Sequence, residues 1–209
     1  DITDATELNN LPYFHKTTVK CENSYYLYYG EVINEIPNGH GTAFKIKIDP
    51  LKYTKIYTGI WRDGVLVNEC CEKILYSYPW LRSSKNEEQN IYIYKVYTGE
   101  MLNYKKHGYG VLNETHIKCV YKGMWQDDKK HGYFISTHVK CTTEENYLND
   151  KLEGFCKTIY DKVNVLTGYF HNGVLLHDKE CTMTYANGDI YKWFQNKDMI
   201  TATEIIYAN

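Results

Sequence analysis

The 209-residue chain carries 24 Lys and Arg against 26 Asp and Glu, a formal net charge of −2. That balance argues against a general nucleic-acid binder, which shows a basic surplus. Arg62 and Arg82 are the only arginines for bidentate recognition of phosphate or guanine. Aromatics are abundant, 22 of them Tyr, and no apolar run approaches the ~20 residues of a membrane-spanning helix.

In chain order, Asp1-Ile2-Thr3-Asp4 lacks an initiator Met and a signal layout, which reads as an internal fragment or a processed piece. Residues 1–24 are expected to form an N-terminal segment with a capping strand. An array of repeats over 25–203 follows. The first copy runs from Tyr28-x-Gly30-Glu31 to Gly39-x-Gly41, and Tyr57-x-Gly59-x-Trp61-x-Asp63-Gly64 opens the second. An insertion near 76–95 comes next, with aromatic Tyr76-Ser77-Tyr78-Pro79-Trp80 and then a polar tip from Arg82 to Gln89. Copy three pairs Tyr97-x-Gly99 with His107-Gly108-x-Gly110. Copy four pairs Tyr121-x-Gly123-x-Trp125-x-Asp127-Asp128 with His131-Gly132. Later copies are worn: Tyr147-x-Asn149-Asp150 with Gly154, then Gly168-x-Phe170-x-Asn172-Gly173, then Phe194-x-Asn196-Lys197. The third position of the copies falls at 30, 59, 99, 123, 145, 168 and 192, so the last four steps set a period near 23. In the tail 204–209, Glu204-Ile205-Ile206-Tyr207 reads as a last capping or dimer-forming strand, because an open array leaves an edge to manage.

Each copy reads as a β-hairpin. With positions counted from the leading tyrosine, seven and eight are Asp63-Gly64, Asp127-Asp128, Asn149-Asp150 and Asn172-Gly173, dipeptides suited to a two-residue turn with positive φ. Pairing is then expected to run six with nine, five with ten, three with twelve and one with fourteen. Alternation puts positions one, three, five, ten, twelve and fourteen on one face. The glycines leave a trough there that large rings of the same or the next hairpin can fill. Hairpins repeated in line build one long antiparallel sheet, stabilised mostly by neighbour contacts.

Catalytic layouts are absent from the sequence: there is no P-loop and no G-x-S-x-G, and the Gly-x-Gly pairs at 39–41 and 108–110 lack the helix that phosphate binding needs. The eight His form no H-E-x-x-H. His107 and His131 share position eleven of adjacent copies, two strand spacings or ~10 Å apart, too far for one metal. No metal and no cofactor is expected. The seven Cys include no C-x-x-C. Cys119 and Cys141 are matched positions whose ~10 Å separation exceeds the reach of a disulfide, so they are expected to be free thiols. The cysteines as a set suit a reducing, cytoplasmic setting.

The pattern Y-x-G-x-W-x-[ND]-[GD]-x-x-x-G-x-G resembles the MORN (membrane occupation and recognition nexus) repeat, over about Tyr25 to Thr203. Tyr28, Gly30, Gly39 and Gly41 carry it in the first copy, Tyr97, Gly99, Gly108 and Gly110 in the third, and Tyr121, Gly123, Trp125 and Gly132 in the fourth. Asn68 and Cys70 replace the second-half glycines of copy two, Phe134 and Cys156 the last glycine of copies four and five, and His177 and Lys179 both glycines of copy six. The resemblance implies an all-β fold, an elongated single antiparallel sheet of about seven tandem hairpins. It also implies a non-catalytic scaffold that lays a partner helix or peptide in the groove of the sheet and forms a homodimer. Some members sit at membrane-associated cytoskeleton, and some are accessory regions of larger enzymes.

Tyr28, Trp61, Tyr97, Tyr121 and Trp125 are the candidate partner anchors, since Tyr and Trp combine large area with a polar handle. The competing reading is that these rings fill the sheet's own core. Positions nine to eleven read Lys105-Lys106-His107 in copy three and Lys129-Lys130-His131 in copy four, against Val65-Leu66-Val67 and Val174-Leu175-Leu176 elsewhere. This marks a basic patch for an acidic segment or anionic head groups, set against ordinary solvated lysines. The leading functional reading is a non-enzymatic protein-interaction scaffold. The alternatives are an anionic-lipid module acting through Lys105, Lys106, Lys129 and Lys130, and an accessory region of a larger enzyme.

Overall fold

A computed structural model describes residues 15–21, 24–44, 54–77, 91–196 and 199–208. These residues form 17 β-strands and no helix. The chain divides into two compact units, residues 1–106 and 107–209. The first holds β1 (His15–Cys21), β2 (Ser24–Ile33), β3 (Ile36–Phe44), β4 (Thr54–Arg62), β5 (Val65–Ser77) and β6 (Ile91–Leu102), each antiparallel to the strand before it. The second opens within β7 (Lys105–Glu114) and continues with β8 (Cys119–Gln126), β9 (Lys129–Thr137), β10 (Cys141–Leu148), β11 (Lys151–Leu152), β12 (Gly154–Tyr160) and β13 (Asn164–His171). β14 (Val174–Leu175), β15 (Cys181–Thr184), β16 (Ile190–Asn196) and β17 (Met199–Ile206) complete it. Its strands also pair antiparallel in chain order, with the short β11 and β14 as the turn-side ends of strands that continue as β12 and β15.

The turns fall where the dipeptides put them. Asn34-Glu35, Asp63-Gly64, Asn103-Tyr104, Asp127-Asp128, Asn149-Asp150 and Asn172-Gly173 all have positive φ at both residues, from 49° to 82°. That is the backbone of a type I′ hairpin turn, whose twist matches that of the strands it joins. Tyr104 holds this conformation at φ 61° because its ring is packed, 5.6 Å from Tyr57 and 6.4 Å from Trp61. Successive turns are also latched. The position-eight N–H donates to the position-ten carbonyl of the preceding hairpin in Gly64 to Pro37, Asp150 to Lys130 and Gly173 to Leu152, each at 2.9 Å.

The register differs from the expected one beyond the first two pairs. Gln126 faces Lys129 and Trp125 faces Lys130, but Gly123 faces Phe134 rather than Gly132, and Tyr121 faces Ser136. In the first hairpin Gly30 faces Gly41 rather than Gly39, and Tyr57 in the second faces Glu72. The position-twelve glycine is a bulge residue. Gly39, Gly132 and Gly154 have φ of 104°, 94° and 78°, a conformation only glycine adopts without strain. The shift is two residues, so the side chains of these hairpins keep their expected face. The last copy is displaced by one: Asn196 pairs with Met199, so Asn196 leads into the turn instead of occupying it, and Tyr191 takes position one.

The insertion is shorter than expected as a loop. Tyr76 pairs with Tyr92 and Ser77 with Ile91, so both of its flanks are strand. Tyr78, Pro79, Trp80 and the tip from Arg82 to Gln89 lie outside the described residues, as do residues 1–14. Cys21 faces Ser24 across the β1–β2 hairpin, and Glu204–Ile206 are the last residues of β17.

Candidate interaction surface

The glycine trough explains where the large rings go. A Cβ on Gly41 would stand 2.3 Å from Cζ of Tyr28, so the Tyr28 ring lies directly over that glycine. The Tyr28 hydroxyl donates to the Glu31 carbonyl at 3.0 Å, and the Tyr97 hydroxyl repeats the contact on Glu100 at 2.7 Å. The Trp61 indole donates to the Gly41 carbonyl at 3.1 Å, and Trp125 donates to Gly110 at 3.3 Å. Tyr28, Trp61, Tyr97 and Trp125 are consequently at most 5% exposed. Four of the five candidate anchors are spent on the sheet's own packing, and Tyr121 is half-buried. A partner cannot reach the four buried rings without unfolding a hairpin. Burial, with the Glu31 charge behind it, pushes the Tyr28 hydroxyl up to about 12, and burial pushes the Cys70 thiol up to about 11.

The basic triplets are divided by the same alternation. Position ten lies on the aromatic face, and position nine does not. Lys130 Nζ is 3.6 Å from the Tyr121 ring centre, 4.6 Å from Tyr147 and 5.7 Å from Phe134, and it donates to the Tyr147 hydroxyl at 3.3 Å. Burial pulls its ammonium below the ordinary lysine value, while Glu145, Cys119 and Asp150 oppose that shift. Buried Glu145 accepts a hydrogen bond from the Ser136 hydroxyl. Lys106 Nζ lies 5.9 Å from the Tyr97 ring centre. Lys105 and Lys129 are exposed, and His107 and His131 are half-buried. The four lysines therefore do not form one solvated patch: Lys130 is a half-buried cation held against aromatic rings.

None of the seven cysteines is in a disulfide. Cys119 Sγ sits 3.3 Å from His138 Nε2, but burial raises the thiol's pKa, which leaves it protonated and a poor nucleophile. Among the described residues no group of three His, Cys, Asp or Glu could hold a metal ion, and no helix is long and apolar enough to cross a membrane. A shallow cleft of about 310 Å³ is lined by Asn164, Tyr185, Asn187, Asp189 and Tyr191. Its polar groups hold the 185–189 turn together: Asp189 accepts from the Asn187 amide at 2.8 Å and the Ala208 N–H at 2.9 Å, and Asn164 accepts from the Ala186 N–H at 3.1 Å.

The opposite face of the second unit carries what the sequence reading missed. Tyr109, Met124, Tyr133, Phe155 and Tyr169 are between 39% and 54% exposed. Tyr109 faces Met124 across β7–β8, Tyr133 faces Asn146 across β9–β10, and Phe155 faces Tyr169 across β12–β13 with ring centres 5.2 Å apart. A Cβ on Gly132, next to Tyr133, would be 3.6 Å from Met124 Cβ. These side chains form a row across the strands. The signal was in the sequence: position thirteen is aromatic in three consecutive copies, at Tyr109, Tyr133 and Phe155.

Comparison with known proteins fits this geometry. No curated protein matches the chain. Residues 97–112 and 121–133 match the MORN repeat family, and these spans hold the Tyr97–Glu100 and Trp125–Gly110 contacts described above. With those matches and its antiparallel hairpins in chain order, the chain carries MORN repeats at residues 97–112 and 121–133 within an array of hairpins of the same kind.

Proposed function

We propose that the protein is a non-catalytic scaffold that binds other proteins on exposed sheet surface. MORN repeats serve in protein or membrane interactions. The observation that carries the protein reading is the exposed row from Tyr109 to Tyr169, apolar on every strand but β10, where Asn146 stands, on a face that no strand of its own unit covers. Strips of this kind mark interaction surfaces. The expected groove is reassigned, because Tyr28, Trp61, Tyr97 and Trp125 are buried. The lipid alternative is weakened by the loss of Lys130 to the aromatic face. Buried thiols at Cys21, Cys70, Cys119 and Cys181 support a reducing, cytoplasmic location.

Proximity labelling from the intact chain, run beside flotation with phosphatidylcholine–phosphatidylserine vesicles, tests this. A reproducible set of labelled proteins without vesicle binding supports the scaffold. Flotation with the vesicles and no specific protein set overturns it.

A further inference from the structure

We infer that the cleft between β13 and the β15–β16 connection is a saccharide site, which takes one pyranose ring against Tyr185 and Tyr191. The inference goes beyond the scaffold reading and uses a different part of the second unit. Asn164 of the cleft and Tyr169 of the exposed row stand five residues apart on β13, hence on opposite faces of the sheet.

Strand pairing assembles the lining. Val165, next to Asn164, pairs with Thr184, next to Tyr185, and Tyr191 pairs with Met183. The turn between them is fixed by its own hydrogen bonds. The Tyr185 N–H donates to the Asp189 carbonyl and the Gly188 N–H to the Tyr185 carbonyl, each at 2.9 Å, and the Asp189 N–H donates to the Asn187 side-chain oxygen at 3.1 Å. Walls that are set before a ligand arrives keep the ordering cost of binding small. These bonds still leave recognition groups over. Asn164 gives its side-chain oxygen to the Ala186 N–H, and its amide donors make no hydrogen bond among the described residues. The same holds for the Tyr185 and Tyr191 hydroxyls. Each Asp189 carboxylate oxygen accepts one hydrogen bond, from Asn187 or Ala208, and keeps a further lone pair.

The lining selects the ligand class. Asp189 is its one charged residue, so an anion is repelled, and the turn leading into Asn164 carries exposed Asp161 and Lys162, of opposite sign. The Tyr185 and Tyr191 rings stand at 74° with centres 5.4 Å apart. They form a corner, not the parallel-walled slot that would sandwich a flat heteroaromatic base. A pyranose suits a corner: its C–H face packs on one phenol ring while the hydroxyls on its rim reach the polar groups. A sugar hydroxyl both donates and accepts, so one that donates to Asp189 and accepts from the Asn164 amide uses both spare capacities at once. At about 310 Å³ the cleft lies at the small end of ligand sites, roughly 300–1,000 Å³, which is room for a mono- or disaccharide.

The test titrates the full chain with glucose, mannose, galactose and N-acetylglucosamine, with AMP and inorganic phosphate as flat-base and anion controls. Saturation-transfer NMR and the side-chain amide shifts of Asn164 and Asn187 are the readouts. At least one sugar should bind with millimolar affinity, receive saturation through its C–H face and shift those amides, while the controls do neither. Tyr185→Ala should weaken that sugar tenfold or more. Asn164→Asp, which keeps the acceptor for the Ala186 N–H but loses the amide donors, should weaken it about fivefold with an unchanged melting temperature. Tyr169→Ala, on the other face, should leave it unchanged. Silence with every sugar, AMP or phosphate binding in their place, or sugar binding that is indifferent to Tyr185→Ala or Asn164→Asp or equally weakened by Tyr169→Ala overturns the inference. None of these outcomes bears on the scaffold reading.

Discussion

The Trp61 indole N–H donates to the Gly41 carbonyl at 3.1 Å, while the Tyr28 ring covers the same glycine so closely that a Cβ would stand 2.1 Å from its hydroxyl. One residue without a side chain thus seats two rings from neighbouring hairpins, and the second unit repeats the indole contact in Trp125 and Gly110. The Tyr-x-Gly-x-Trp spacing is a packing rule of this kind: the glycine that seats the Tyr28 ring in the first hairpin also gives the acceptor for the tryptophan of the next, and Gly110 gives the acceptor for Trp125 in the same way.

Gly41→Ala should therefore unfold the first unit more readily than its small size suggests, by about 2–4 kcal/mol in urea titration, because the Tyr28 ring must leave its rotamer or the strands must part. Gly154→Ala is the control. Nothing lies within 4 Å of its Cβ, and only the φ of 78° is unfavourable, so a cost of about 1 kcal/mol is expected.

Lys130 and Glu145 should prove coupled. Lys130→Met removes the positive charge whose field reaches the buried Glu145 carboxylate, and Glu145→Gln removes the negative charge that opposes the desolvation of Lys130. Each single variant should cost about 2–3 kcal/mol. The double variant should cost at least 1 kcal/mol less than the sum, measured as a double-mutant cycle by chemical denaturation. Strict additivity would mean that the rings alone hold Lys130.

Alkaline pH should destabilise the first unit. Tyr28 rises from 10.0 to about 12 and Cys70 from 9.0 to about 11 in the fold, both chiefly by burial. The unfolded chain loses these protons first. Their contribution is complete below the ordinary values and is lost as pH climbs through about 11 and about 12. The urea midpoint should fall steadily from pH 9 upward, and Tyr28→Phe should make the fall above pH 10 shallower.

The turn at Asn34-Glu35 offers a gain. Glu35 is exposed and holds φ 66°, where a Cβ is unfavourable. Glu35→Gly should raise stability by about 0.5–1 kcal/mol, read as a melting temperature a few degrees higher.

The hairpins, the period, the family and the turns of every copy but the last are legible in the sequence, because each is local: a positive-φ dipeptide at positions seven and eight is a property of adjacent residues. Up to the sixth copy it also shows which side chains share a face, since alternation survives a two-residue shift, whereas in the last copy the one-residue displacement exchanges the faces. Tertiary structure alone decided the rest. The glycine at position twelve bulges instead of pairing, so Gly123 meets Phe134, and no count from the turn foretells that. Whether Trp61 and Tyr97 are anchors or core depends on neighbouring hairpins closing over them, and Lys130 left its patch for a cage whose walls, Tyr121, Phe134 and Tyr147, come from three strands. The exposed row likewise belongs to no single repeat. It exists because strand pairing sets position thirteen of one hairpin beside position four of the next, a relation the sequence encodes but only the assembled sheet makes contiguous.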